Sequence, residues 1–247
     1  MQQLDGDQSL TACTNALITA TSSFGPGSDG ASASAVNTAL GSLCSANSAC
    51  SETAIRTTLA KFYSACTPEL TSNKNDQVIA IYDVLYTLDP LVEATCSKDD
   101  SGAFCATKIQ GNAPAAGSLF SSSTQQPIAP NFSALGSSNA AFLFLTPDLP
   151  ADKLCTPCTR SIMTQYVAFE SDISYAPGLK NSVLLAGQPA LYAAISSTCG
   201  ASFMNNAVQA AGSLSDSILN ANAAAPRTSG VLASLVGAVS LAIAATL

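Results

Sequence analysis

Gln77–Cys96, QVIAIYDVLYTLDPLVEATC, is the stretch whose reading decides the fold. Val78, Ile81, Tyr82, Leu85 and Leu88 recur at the three- and four-residue spacing that lines one face of an α-helix, so a helix is expected over Gln77–Leu88. Asp89-Pro90 then reads as an N-cap with proline at the first helical position, where its missing N–H costs nothing. A second, short helix is expected from there, carrying Cys96 into the loop Ser97–Gly102, which Cys105 closes.

The same spacing continues on both sides. Upstream, Ser51 is a good N-cap with Glu52 in the first turn, where the helix dipole favours a carboxylate; Ile55, Leu59, Phe62 and Cys66 then form an amphipathic face that Pro68 ends. Val36, Leu40 and Leu43 mark a helix over Ala31–Cys44, and Leu10, Cys13, Leu17 and Ala20 mark another over Leu10–Ala20. Downstream, residues 106–140 lose periodicity and fill with Pro, Gly, Asn, Gln and Ser, the composition of a linker or long surface loop. Phe142–Leu145 is a short apolar run expected to dock on a core. Leu154, Cys158, Ile162, Tyr166 and Phe169 restore the helical register, and Pro177-Gly178 makes a turn. Gln188-Pro189 opens a helix holding Leu191, Tyr192, Ile195 and Cys199, with Gly200 as its cap, and a weak last helix is expected over Phe203–Ala211.

The expected class is therefore all-α: a disulfide-stapled helical bundle, in which the second half loosely echoes the first, with a hydrophobic helix at the C-terminus. The expected organisation is a disordered stretch 1–9, a cysteine-rich helical domain 10–105, the linker or long loop 106–140, a C-terminal helical half 141–212, a spacer 213–230 and an apolar tail 231–247.

Nine cysteines, Cys13, Cys44, Cys50, Cys66, Cys96, Cys105, Cys155, Cys158 and Cys199, point to an oxidising compartment and several disulfides. The odd number leaves one thiol free, bonded between chains, or deprived of its partner. Charged residues are 10% of the chain, well below the usual quarter, and Ala, Ser and Thr abound, which suits a surface made soluble by sugars. The N-glycosylation sequon is Asn131-Phe132-Ser133. With a net charge of −7 and nine basic residues in no basic run, nucleic acid is not an expected partner.

The tail Val231–Leu247, VLASLVGAVSLAIAATL, has no charge and no polar face to turn to water. Before it lie Ala223–Gly230, AAAPRTSG, and the small residues Asn220, Ala221 and Asn222. Small residues, a spacer of about 8–12 and an apolar tail of about 10–20 are the order of a glycosylphosphatidylinositol (GPI) attachment signal. Asn222 fits best as the attachment residue, and Asn220 is next. A retained membrane helix is the competing reading, weakened by the short run and the lack of a following Lys or Arg. MQQLDGDQSL contains no apolar leader, so the GPI reading carries the expectation of a native leader that this sequence lacks.

No catalytic set stands out, and neither an enzymatic activity nor a cofactor is expected. The chain has no His, which removes Ser-His-Asp and Cys-His nucleophilic systems and His-containing metal sites. Cys155-Thr156-Pro157-Cys158 has dithiol redox spacing, but it follows a proline-rich loop rather than a strand; a structural role, with Cys199 bonded to one of the pair, is the stronger reading, and a zinc site lacks a fourth ligand. Asp100-Ser101-Gly102 matches the aspartic-protease triplet, yet that chemistry needs two carboxylates, and a turn between two cysteines accounts for it. Glu170 and Asp172 are too close on one helix for a glycosidase pair and read as the exposed end of that helix. Phe62, Tyr63, Tyr82 and Tyr86 read as core packing, with an apolar-ligand pocket as the alternative.

The segments AIRTTLAKFYSACTPEL, VIAIYDVLYTLDPL, CSKDDSGAFC, LCTPCTRSIMTQYVAFES and LLAGQPALYAAISSTCG resemble an uncharacterised family of secreted, often GPI-anchored, cysteine-rich proteins of filamentous fungi, over roughly residues 10–212. The resemblance implies a leader, a helical ectodomain and a C-terminal anchor signal, and carries over no functional residues. The expected function is an extracellular ectodomain at the cell surface or wall, held to the plasma membrane through a GPI lipid, with a structural or interaction role; cell-wall glycan is a conceivable partner. The alternatives are a module that binds a sterol or fatty acyl chain and, more remotely, a thiol oxidoreductase using Cys155 and Cys158.

Overall fold

The computed structural model of the chain describes residue 10 and residues 33–45, 50–109, 116–123 and 126–204. Over these residues the architecture is helical: α1 (Ala33–Leu43), α2 (Glu52–Ala65), α3 (Thr67–Leu70), α4 (Asp76–Cys96), α5 (Phe132–Ser137), α6 (Ala151–Leu154), α7 (Pro157–Asp172) and α8 (Gln188–Cys199). Disulfides Cys44–Cys96, Cys105–Cys158 and Cys155–Cys199 staple it. Each joins residues 44 to 53 apart, and closing a loop of that length in the unfolded chain corresponds to about 4 kcal/mol of chain entropy.

α4 is the axis of the fold. Ile79, Tyr82, Val84, Leu85, Tyr86 and Leu88 are all buried, so this helix is apolar nearly all round and takes partners on every side. Its principal partner is α7, with α2, α1, α3 and a 3-10 turn at Cys105–Thr107 completing the surround. The expected break at Asp89-Pro90 does not occur, since α4 runs on to Cys96 with Pro90 inside it. An interior proline costs about 3 kcal/mol, but Leu88, Leu91, Val92 and Ala94 lie in the core, and burying each larger apolar side chain contributes about 1.5–3 kcal/mol. Tertiary burial therefore outweighs the local signal. The N-cap is Asn75, whose side-chain oxygen accepts from the Gln77 and Val78 N–H groups at 3.0 and 3.2 Å.

α7 starts where Pro157 takes the first helical position and the Thr156 hydroxyl accepts from the Thr159 N–H at 3.2 Å. α8 starts at Gln188 with Pro189 in its first turn and ends at Gly200, whose φ is 86°. The helix anticipated over Phe203–Ala211 lies largely outside the described residues, as do Asn220, Asn222 and the tail 231–247. Among the described residues no helix is long and apolar enough to cross a membrane.

The stretch 106–140, expected as a linker or long loop, holds local structure in its described parts. A 3-10 turn at Ala116–Leu119 leads into an antiparallel hairpin of β1 (Phe120–Ser123) and β2 (Gln126–Pro130), and α5 follows. Leu119 and Leu135 reach the core. Two apolar residues sixteen positions apart leave no periodic signal.

Phe142, Leu143, Phe144 and Leu145 dock on the core as expected, all buried. The chain takes an unusual course to place them: Asn139, Leu143 and Phe144 have φ of 54°, 51° and 63°. The left-handed region costs a residue with a Cβ about 1–2 kcal/mol. Burial of the four side chains and the Asn139 Nδ2 bond to the Leu145 carbonyl, at 2.8 Å, offset it.

Two glycines allow this layer to close. A Cβ at Gly136 would lie 2.0 Å from the Val183 carbonyl oxygen, and one at Gly187 would lie 2.1 Å from Asn139 Oδ1. Gly136→Ala and Gly187→Ala are each expected to lower unfolding free energy by about 1–3 kcal/mol. Gly41→Ala, in α1 with nothing within 4 Å, is expected to raise it by about 0.5–1 kcal/mol. Denaturant titration followed by circular dichroism checks all three.

Candidate functional site

The densest chemistry in the described residues lies between α4, α7 and the segment that joins α7 to α8. Asp83, in the middle of α4, is fully buried. One carboxylate oxygen accepts from the Tyr175 hydroxyl; the other accepts from the Ser182 hydroxyl at 2.8 Å and from the Val183 and Leu184 N–H groups at 2.5 and 2.9 Å. Burial pushes the Asp83 carboxyl up to about 6, while these four hydrogen bonds act to hold it down. The Ser182 hydroxyl also accepts from the Leu185 N–H at 2.7 Å. Asp83 thus folds the turn 182–185 around itself.

Aromatic rings wall this carboxylate. Tyr175 packs edge-on against Tyr82 and Tyr86, with centroids 5.5 and 5.0 Å apart, and Tyr86 meets Phe169 edge-on at 5.1 Å. Phe62 and Tyr63 lean on Tyr82 from α2. The stripe Phe62, Tyr63, Tyr82 and Tyr86 is core packing: Phe62 and Tyr63 meet Tyr82, and Tyr86 meets Phe169 and Tyr175. The Tyr86 hydroxyl donates to the Ile173 carbonyl and the Tyr166 hydroxyl to the Ala141 carbonyl. Burial raises all four tyrosines, Tyr82, Tyr86, Tyr166 and Tyr175, above the usual phenol range.

Glu170 corrects the sequence reading. It was expected on the exposed end of its helix, but it is 3% exposed, whereas Asp172 is exposed. The two are not brought together as a carboxylate pair. Glu170 faces inward because it shares the stripe of Cys158, Ile162, Met163, Tyr166 and Val167 on α7. One of its oxygens accepts from Gln188 Nε2 at 2.7 Å, and burial pushes its carboxyl up to about 8.

The cysteines sort as follows. Cys155 pairs with Cys199 and Cys158 with Cys105, so each sulfur of the Cys155–Cys158 motif is bonded to a distant partner. The structural reading of that motif, with Cys199 bonded to one of the pair, is what the structure has. Cys44 pairs with Cys96, and Cys50 is also disulfide-bonded. Cys66 is the free thiol among the described residues, half-buried and raised first by burial and then by the Glu69 charge. Cys13 lies outside the described residues.

The triplet Asp100-Ser101-Gly102 is a turn between Cys96 and Cys105. Asp99 organises it, accepting from the Ser101 N–H and hydroxyl and from the Ala103 N–H at 2.9, 2.6 and 3.0 Å, with Lys108 Nζ at 3.2 Å. Asn131 caps α5: its side-chain oxygen accepts from the Ala134 N–H at 3.2 Å and its Nδ2 donates to the Ser118 carbonyl at 3.3 Å. Among the described residues no three Cys, Asp or Glu side chains converge as metal ligands.

Sequence reasoning passed over Asp83, Tyr175, Ser182 and Gln188. For Asp83 a signal existed: it is the single charge between Val78 and Leu88, on a helix with no polar face to carry it. Compared with models of protein families, with curated proteins and with solved structures, the chain matches none of them.

The arrangement positions backbone rather than presenting a reactive group, and its disruption should read out as stability. Tyr175→Phe removes one donor from a buried carboxylate and is expected to cost about 1–3 kcal/mol. Asp83→Leu strands the Ser182 hydroxyl and the Val183 and Leu184 N–H groups and is expected to cost more than Tyr175→Phe. Urea midpoints of the two variants at one pH check the order.

Proposed function

We propose that this chain is a GPI-anchored ectodomain with a structural or interaction role at the cell surface or wall. The observation that carries the reading is the set of disulfides Cys44–Cys96, Cys105–Cys158 and Cys155–Cys199, which join distant helices through a shared core and are compatible with an extracellular protein. Such bonds persist where the surroundings are oxidising. A chain held together this way tolerates exposure outside the cell, where little else maintains it. The apolar, uncharged sequence Val231–Leu247 after a small-residue spacer supplies the anchor signal, with attachment at Asn222, or at Asn220 as the next choice.

The same reading gives Asn131 a glycan. The cap on α5 is made by its side-chain oxygen, which glycosylation at Nδ2 leaves able to accept. The acidic chain, with a net charge of −7, is repelled by anionic lipid, so the covalent lipid supplies the membrane attachment. No catalytic role is assigned to any residue.

Expressed in a host that makes GPI proteins, with a secretory leader ahead of residue 1, the protein is expected on the cell surface and is expected to be released by a phosphatidylinositol-specific phospholipase. Mass spectrometry of the released form should find Asn222 as its last residue. Retention on the cells after complete digestion would overturn the anchor.

A further inference from the structure

Glu170 and Gln188 present an imbalance of donors and acceptors. Both are buried, 3% and 5% exposed, and Gln188 Nε2 donates to one Glu170 oxygen at 2.7 Å. The other Glu170 oxygen and the Gln188 side-chain oxygen are both buried without a hydrogen-bond partner. Two acceptors with no donor between them are costly in a dry interior. A proton on the carboxyl supplies a donor, an acid O–H, of the kind that the amide oxygen lacks. We propose that Glu170 carries that proton in the folded protein at neutral pH, and that its carboxylic acid and the Gln188 carboxamide close a two-hydrogen-bond ring, a clasp between α7 and the start of α8 that opens in alkaline solution.

The surroundings favour the acid. On its own helix Glu170 is flanked by Tyr166, whose hydroxyl is committed to the Ala141 carbonyl; from α4 it meets Tyr86, committed to the Ile173 carbonyl. Asp83, also on α4, has its own four donors, among them Tyr175. Asp76, Asp89 and Glu93 are the other acids of α4, and Tyr192 is the titratable residue of α8. Among the described residues neither ion pair includes Glu170: they are Glu52–Arg56 and Asp99–Lys108, while Arg160 is engaged with Phe203 and Lys74 with Asn181.

The direction of the pH effect follows from burial, which raises the Glu170 carboxyl to about 8 from an ordinary 4.5. The folded chain holds a proton that the unfolded chain has already released. The resulting stabilisation is complete below about 4.5 and is lost as pH climbs through about 8. Between those limits the unfolding constant rises by up to about tenfold per pH unit from this one group.

Two measurements on the full chain test the clasp. The protein has only four glutamates, Glu52, Glu69, Glu93 and Glu170, so glutamate labelled with carbon-13 at the side-chain carboxyl gives four signals. In the wild type, one signal is expected to stay at the protonated position through pH 7 and to titrate above it; four ionised signals at pH 7 would overturn the proposal. Glu170→Gln keeps both hydrogen bonds of the ring without a titrating group. Its unfolding constant is expected to rise less steeply than that of the wild type between about pH 5 and 7.5, by up to about tenfold per unit. Parallel profiles would also overturn it, and should the variant not fold, the wild-type titration decides alone.

Discussion

Asp83 lies midway along α4, and the four hydrogen bonds that its carboxylate accepts all come from Tyr175 and the turn at Ser182–Leu184. The closeness of that turn to α4 sets what can pack outside it. The Val183 carbonyl comes so near α5 that only a glycine fits at position 136, and four residues further along Gly187 takes the side chain of Asn139 in the same way. Asn139 in turn holds the Leu145 carbonyl and starts the left-handed course that buries Phe142–Leu145. A single acid on the central helix is thus the inner end of a chain of close approaches reaching the outer layer of the fold.

Two buried carboxyls flank the Tyr86 and Tyr175 rings, and they differ in what surrounds them. Asp83 has four donors and is satisfied as an anion. Glu170 has one donor, and its second oxygen and the Gln188 side-chain oxygen have none, an arrangement that favours a neutral acid. Burial raises both, yet the donor inventory assigns them opposite states near neutrality. Asp89, raised to about 7 by partial burial and by the charges of Glu93 and Glu52, adds a third acid reluctant to ionise. At these three acids folding favours the protonated form.

The helical class could be read from periodicity because α1, α2 and α8 each keep a stripe of apolar residues at helical spacing. The burial of Phe142–Leu145 was legible for the simpler reason that four consecutive large apolar residues have nowhere else to go. Pro90 misled, because local preference is a weak signal against a helix that is buried on all sides. Glu170 misled for the opposite reason: a charged side chain near a helix end is normally exposed, and only the partner at Gln188, eighteen residues away, reveals the buried alternative. The hairpin at 120–130 has no alternation that sets it apart from a polar loop. Of the candidate site, Asp83 was visible as the lone charge in an apolar helix, but its donors come from residues 92 to 101 positions distant and left no local trace.

The pairing of Cys155 with Cys199 and of Cys158 with Cys105 makes oxidative folding of this chain a sorting problem. In an unfolded chain loop closure grows costlier with length, so the native pairs, 44 and 53 residues apart, compete with thiols that lie closer in sequence, and a non-native bond has to be reopened before they form. Reopening requires a thiolate. Cys66, the free thiol among the described residues, is half-buried and raised by burial and by Glu69, which makes it a slow internal reagent once its surroundings have formed. A thiol from outside the molecule is then the better reagent for correcting a non-native pairing.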